Sequence, residues 1–494
     1  MSPLIQEVED DVPVQNVPTT LELTPVEATL RQLLLDVAIY IDESPPPSSE
    51  DSQVSLPEDL ARENIILRFT GGWVRDKLLG VPSHDIDVAI NKMTGYQFGL
   101  RMKEYLEQPG NPEKYGLEGV AQTDKQSQKA GSNDKSKTVG GLHKIEANPE
   151  KSKHLETVTT TILGLDIDLV NLRKETYSDD SRNPQMEFGT AEEDALRRDA
   201  TVNAMFYNIN TEQIEDFTKL GHQDMQKKII RTPLEPYQTF KDDPLRVLRL
   251  IRFASRLGYR IENEALEAMR NAEIKDALRR KISRERVGIE MEKCLRGPDP
   301  YMALQLVDDL DLYHTIFCDP TSTDKYIFQP DTESFGKSIG TVQDHLQEGS
   351  SKLAALAQDE ENRFLAWQIS ALVPYRDAPQ QEPSEPGRRA PPPLATQVAR
   401  EGLKATNKVC EVVTASIRNR VDILALVDEI VSLNKGSKDD AGKIGKERAR
   451  IGMAIRCLGA SWHTQYLYAF LVSTLDSGIP DGEFFSKWKM FNLR

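Results

Sequence analysis

The chain has 494 residues, 38% hydrophobic and 28% charged, enough for a sizeable core and, at about 150 residues per domain, for two to four domains. No apolar run approaches the roughly 20 residues of a membrane span, and the four cysteines (Cys294, Cys318, Cys410, Cys457) form no CxxC pair, which excludes a membrane-spanning chain, a disulfide scaffold and a cysteine-rich zinc module. The net charge of −16 argues, as a bulk number, against a nucleic-acid partner, but residues 1–60 hold thirteen acidic side chains and one basic one, whereas 241–296 hold fifteen basic and ten acidic.

Residues 1–25 read as a disordered acidic leader without the features of a signal or transit peptide. The segment TPVEATLRQLLLDVAIYI has Pro25 near its start and helical apolar spacing, so it predicts a helix; the Pro/Ser/acid-rich stretch 44–57 predicts a linker. NIILRFTGGWVRDKLLG predicts a strand, a Gly71-Gly72 turn and a short helix closed by Gly80. HDIDVAIN (84–91) alternates as a strand, 108–154 is low in complexity and predicts a mobile loop, and VTTTILGLDIDLVNLR predicts two strands joined at Leu163-Gly164. From Glu192 onward the pattern is helical.

The predicted fold class is α+β: a small head with a mixed or antiparallel sheet (26–215), then an all-α neck (216–300) and body (301–375), a linker (376–396) and a tail (397–494). No internal repeat is present.

Asp85 and Asp87 flank Ile86 on a strand, so their carboxylates leave one face while Ile86, Val88 and Ile90 turn to the core. Two carboxylates this close repel unless a cation lies between them, and hard oxygen ligands suit Mg²⁺. Taken alone, a DxD also fits the polar face of an edge strand. The Gly71-Gly72 turn leads into a helix N-terminus, which presents backbone N–H groups to a phosphate, and Arg75 follows three residues later. Asp168, with Asp166 in the same parity, could be a third metal ligand, a general base or an outward polar position.

GGWVRDKLLGVPSHDIDVAI resembles the signature of the nucleotidyltransferase superfamily, specifically the class II tRNA nucleotidyltransferases or CCA-adding enzymes. RRDATVNAMFYN (197–208) resembles that family's second motif and DDPLRVLRLIRFASRLGY (242–259) its nucleotide-selecting helix, in family order, over roughly 64–300, with a fungal-type character. The resemblance implies template-independent addition of C, C and A to a tRNA 3′ end from CTP and ATP, with release of pyrophosphate. It implies that Asp85 and Asp87 bind two Mg²⁺ ions, one lowering the pKa of the RNA 3′-hydroxyl and one stabilising pyrophosphate. Gly72 and Arg75, with Gly71 in the turn, would hold the triphosphate, and Arg198 and Asp199 would engage phosphate and ribose.

On a helix over 243–260, Arg246, Arg249, Arg252, Arg256 and Arg260 share about a third of the circumference, opposite Val247, Ile251 and Ala254. Arg256 and Arg260 also fit a solvated face. Asp243 and Arg246, three apart, can offer an acceptor beside a forked donor, matching the pairing edges of cytosine and adenine but not uracil and guanine. The implied partners are tRNA, CTP and ATP; no membrane is expected, and a monomer is the expectation. The basic run 435–456 fits either the tRNA backbone or a solvated surface. The start lacks a presequence, so the cytoplasm is expected, with nucleus and mitochondrion open to the family. A poly(A) polymerase, a CC-only or A-only enzyme and a silent RNA-binding protein remain as alternatives, the last disfavoured by the paired carboxylates.

Overall fold

The computed structural model describes residues 16–44, 62–117, 143–145, 157–178, 181–321, 328–347, 357, 359–380, 390–435 and 441–476. Most of the acidic leader and of the two linkers lies outside these residues, as do the side chains of the basic run up to 448. The chain divides into two compact units, one of residues 5–243 with 260–265, the other of 244–259 with 266 onward.

In the first unit, α1 (Pro25–Glu43) starts where expected: Thr24 caps it, accepting from the Glu27 amide while Glu27 returns the bond to the Thr24 amide. Next come β1 (Leu67–Thr70), α2 (Gly72–Leu78), β2 (Asp85–Ile90), α3 (Gly95–Leu106), β3 (His143–Ile145), β4 (Thr157–Ile162) and β5 (Leu165–Asn171). The hairpin β6 (Arg173–Ser178) and β7 (Ser181–Phe188) precedes α4 (Ala191–Leu196), β8 (Phe206–Asn208), β9 (Gln213–Glu215), α5 (Gly221–Lys227), β10 (Ile229–Ile230) and α6 (Pro236–Asp242). Seven strands form a mixed sheet in the order β3-β4-β5-β2-β1-β8-β9, with only the central β2–β5 pair parallel.

The alternation read from sequence decides the faces. Leu67 and Phe69 on β1, Ile86, Val88 and Ile90 on β2, Ile167 and Leu169 on β5, and Val158 and Ile162 on β4 are all buried. The break between β4 and β5 falls at Leu163-Gly164, both at positive φ, as a tight hairpin requires.

Three expectations need correction. Within 108–154, expected to be loop, one helical turn forms at Asn111–Lys114 and His143–Ile145 adds an edge strand to β4; both are too short to carry a periodic signal. The helical region begun at Glu192 is interrupted by β8 and β9, and β10 pairs in parallel with β11 (Arg260–Ile261). The helix expected over 243–260 is shorter. Asp243 is extended (φ −131°, ψ 96°) because Pro244 disfavours helical geometry in the residue before it, and α7 runs from Arg246 to Leu257. Asp243 and Arg246 therefore do not share a helical turn, and Arg260 leaves the helix for β11 after Gly258 ends it at φ 65°.

The second unit is helical, built on α7, α8 (Asn263–Arg270, from Leu266), α9 (Ala272–Lys281), α10 (Arg284–Leu295), α11 (Pro300–Asp309), α12 (Tyr313–Ile316), α13 (Glu333–Gln347), α14 (Glu360–Leu372), α15 (Asn407–Arg418), α16 (Arg420–Lys435), α17 (Ala441–Leu458) and α18 (Trp462–Asp476). Its buried Arg284 donates to the carbonyls of Gly402, Thr315 and Ile316, satisfying three main-chain acceptors in the core with one side chain. No helix among the described residues is long and apolar enough to cross a membrane.

Gly95, the first residue of α3, lies directly against β5. A methyl group there would overlap the Leu169 carbonyl, one residue beyond Asp168. Gly95→Ala is expected to cost about 1–3 kcal/mol through overpacking, measurable as a lower urea midpoint with an unchanged slope.

Candidate active site

Because β2 and β5 are parallel and in register, Asp85 stands opposite Asp166 and Asp87 opposite Asp168. Four carboxylates thus occupy two adjacent rows on the face turned away from the apolar core. The Asp85 row is the more exposed and the Asp87 row half-buried. Antiparallel β1 adds Thr70 opposite Asp87, and β4 adds Thr159 opposite Asp168 and Thr161 opposite Asp166. Thr159 Oγ1 donates to Asp168 Oδ1 at 2.7 Å, and Thr161 Oγ1 to Asp166 Oδ1 at 3.0 Å.

Burial, reinforced by the neighbouring Asp168 and Asp85, pushes Asp87 up to about 6, while Arg198 opposes the rise. The glycine turn meets this row. A Cβ on Gly71 would lie 3.1 Å from Asp87 Oδ2 and 3.3 Å from Arg198 Nη1, and the φ of +75° is one that only glycine adopts readily. Gly71, Asp87 and Arg198 therefore converge on one point.

Arg198 is held on three sides. Its Nε and Nη2 donate to Asp194 Oδ2 at 3.2 and 2.9 Å, its Nη1 donates to the Asn203 carbonyl at 3.2 Å, and its guanidinium lies 5.2 Å from the Phe206 ring centre. Burial works to raise Asp194, but Arg198 and Arg197 outweigh it and hold the carboxyl below its ordinary value. Arg197 binds the other Asp194 oxygen and Glu175 of β6.

Arg75, expected at the triphosphate, points elsewhere. It is 2% exposed; Nε and Nη2 donate to Asp76 Oδ1, and Nη1 donates to the Asn203 side-chain carbonyl. Asn203 thereby joins both motif arginines, one through its side chain and the other through its backbone. Asp199 is buried, 8% exposed, on the turn leading to Asn203.

In the helical unit, Val247, Ile251 and Ala254 are fully buried, as the face of α7 required. Arg252 Nε donates to Glu290 Oε2 at 2.6 Å and Arg249 lies 3.8 Å from Glu290 Oε1, with both guanidiniums beside Phe253. Arg246 opens the helix and is half-buried. Sequence reasoning missed Asp194, Asn203, Glu290 and Thr159. Only Thr159 carried a local signal, since a threonine run on an alternating strand faces DID on the next.

Residues 67–125 and 127–231 match the poly A polymerase head domain, and 258–323 match the probable RNA and SrmB-binding site of polymerase A. The chain is 44% identical over 477 residues to nucleotidyltransferase lcsQ of Purpureocillium lilacinum, covering 92% of this chain and 72% of that one. It is 33% identical over 459 residues to tRNA nucleotidyltransferase cca1 of Schizosaccharomyces pombe, covering 92% and 80%. The chain belongs to the tRNA nucleotidyltransferases, the CCA-adding enzymes. The mitochondrial CCA tRNA nucleotidyltransferase of Saccharomyces cerevisiae is 53% identical over 255 residues, 52% of this enzyme and 43% of that one. In fold, the enzyme resembles the Thermotoga maritima CCA-adding enzyme complexed with tRNA, at a TM-score of 0.53 and 17% identity over 94% of this chain and 87% of that one.

The carboxylate rows fit a divalent cation. Crowding has raised Asp87, a positive charge would relieve that crowding, and all the donors are hard oxygens. No three His, Cys, Asp or Glu side chains among the described residues close into a finished ligand shell, so substrate and water oxygens would have to complete one.

Asp87 is raised on folding, so its ionised form destabilises the metal-free protein: the penalty is absent below about pH 4 and fully present above about 6. In metal-free buffer at pH 8, Asp87→Asn should therefore unfold with about 2 kcal/mol more stability than the parent, an advantage that vanishes as the pH falls to 4. Urea titrations across that range would measure it.

Proposed function

We propose that the enzyme completes tRNA 3′ ends, adding C, C and A from CTP and ATP and releasing pyrophosphate. The observation that carries this reading is the convergence of Gly71, Asp87 and Arg198 beside two in-register carboxylate rows, in a chain of this family.

Asp85 and Asp87 would hold divalent ions, Mg²⁺ in this reading, with Asp168 as an adjoining oxygen donor. Bound there, the ions supply Lewis acidity toward the attacking hydroxyl and charge neutralisation at the phosphates. The protein's own part is positioning. Gly71 and Gly72 bring backbone N–H groups close to the triphosphate, because neither has a side chain to keep it away. Arg198, locked by Asp194 and Asn203, offers a preset cation to a phosphate oxygen at small entropic cost. Arg75 supports the turn from beneath through Asp76 and Asn203. Asp199 lies one residue on and would select ribose by accepting from its hydroxyls.

Asp243 and Arg246 would read the base. Cytosine and adenine each present an amino donor beside a ring-nitrogen acceptor, whereas uracil and guanine would leave buried groups unmatched. The extended Asp243 and the helical Arg246 reach that edge from different backbone geometries. Arg249 and Arg252, tied to Glu290, would stiffen the helix that carries Arg246. The place of action in this reading is the cytoplasm, with nucleus and mitochondrion as further compartments, and one chain carries every residue invoked.

Incubating the enzyme with Mg²⁺, each NTP and tRNAs ending before CCA, after C and after CC should extend every substrate to CCA and stop. Long adenosine tracts would establish poly(A) polymerase chemistry, for which the head-domain match speaks, and arrest at CC would establish the partial enzyme. In the same assay Asp85→Ala and Asp87→Ala should lose incorporation at least 10³-fold while tRNA binding by filter retention persists. Near-normal incorporation by either would remove the metal assignment. Arg246→Ala should narrow the preference for CTP and ATP over UTP and GTP by about 10-fold or more. A slower enzyme with unchanged selection would show that Arg246 does not read the base.

A further inference from the structure

We infer that Thr159 is the positioning residue for the Asp168 carboxylate, fixing which of its oxygens is turned to the metal-binding row. The inference rests on the proposed role of the Asp85–Asp87 site and assigns a function to a strand that the family motifs leave aside.

On β4, Val158, Thr160 and Ile162 face the core and are fully buried, so Thr159 and Thr161 project from the opposite face, beside β5. The antiparallel register places Thr159 directly across from Asp168. The hydroxyl-to-carboxylate distance of 2.7 Å is that of a strong bond to an ionised acceptor. Thr159 is β-branched, hence stiff at χ1, and its own strand is held on both sides by β3 and β5. Its hydroxyl is thus a fixed donor.

Asp168 needs such a donor. An aspartate carboxyl rotates broadly about its last torsion, and Asp168 stands in register with Asp87, whose charge repels it. Without an anchor, the lowest-energy response to the repulsion is for the two carboxylates to turn apart, which would separate the oxygens a cation must bridge. Donation to Oδ1 opposes that rotation and leaves Oδ2 as the oxygen with no hydrogen-bond partner among the described residues. The outer row repeats the arrangement, with Thr161 on Asp166 opposite Asp85, but there the groups are more exposed and water can supply the same donation. The effect should therefore concentrate at Thr159.

Thr159→Val, which keeps the branched shape and removes the donor, is compared with Thr159→Ser, Thr161→Val and Asp168→Asn in the full-length protein. Two readouts are taken: Mn²⁺ binding, from the free-ion electron paramagnetic resonance signal without substrate, and the Mg²⁺ concentration for half-maximal CMP incorporation. Thr159→Val should weaken Mn²⁺ binding and raise the Mg²⁺ requirement about 5- to 10-fold, with a thermal midpoint in chelator within 2 °C of the parent. The rate should recover at saturating Mg²⁺. Thr159→Ser should restore both readouts, and Thr161→Val should leave them within twofold.

Unchanged Mn²⁺ binding and Mg²⁺ requirement in Thr159→Val, while Asp168→Asn impairs both, would overturn the positioning role alone. Equal effects of Thr159→Val and Thr161→Val would reduce it to a general property of the strand and overturn it too. If Asp168→Asn itself matched the parent in both readouts, the underlying assignment of Asp168 would fail first.

Discussion

The central constraint is a like-charge juxtaposition that the fold imposes and cannot relax. A parallel strand pair in register puts Asp87 beside Asp168 and Asp85 beside Asp166, and the apolar residues between them on each strand are locked into the core. Slipping either strand by one residue would bury the carboxylates and expose Ile86, Val88, Ile167 and Leu169, which the hydrophobic effect forbids. The charge conflict is therefore permanent in the protein without a counter-ion. It appears as the raised Asp87 and as the concentration of fixed donors around the sheet face: Thr159, Thr161 and, from α4 and the turn beyond it, Arg198.

Support for Arg198 comes from residues that never reach the glycine turn. A single buried carboxylate, Asp194, divides its two oxygens between Arg197 and Arg198, and Asn203 ties Arg198 to Arg75 on α2. Each arginine in this group has its charge compensated and its rotamer fixed, which is the condition for buried cations to be retained at all. The reach of the network from the hairpin, through Glu175, to the helix after Gly72 explains why the two sequence motifs, over a hundred residues apart, work as one structure.

What the sequence made legible was local. Parity along one strand placed Asp85 with Asp87 and Asp166 with Asp168, and periodicity set the buried face of α7, because both depend on backbone geometry within one element. The parallel pairing that brings the two DxD-type rows together depends on a crossover of about seventy-five residues and left no local trace. Asp194, Glu290 and Thr159 act through contacts of that non-local kind. Pro244 is the instructive miss: the arginine spacing suggested one helix through Asp243, and a single restriction on the residue before proline was enough to end it. The net charge misled for a different reason, being an average over an acidic start and a basic segment.

The burial of Arg75 bears on how inherited damage to this protein would present. A lesion at Asp85 leaves a folded but inert molecule, which persists at normal abundance and still occupies its substrate. A lesion at Arg75 leaves Asp76 and Asn203 without their shared donor inside the core, so the molecule is depleted by quality control before its chemistry is ever tested. Two neighbouring residues of one signature thus belong to different genetic classes: the first dominant by interference, the second recessive, temperature-sensitive and open to rescue by slower growth or by raised chaperone levels.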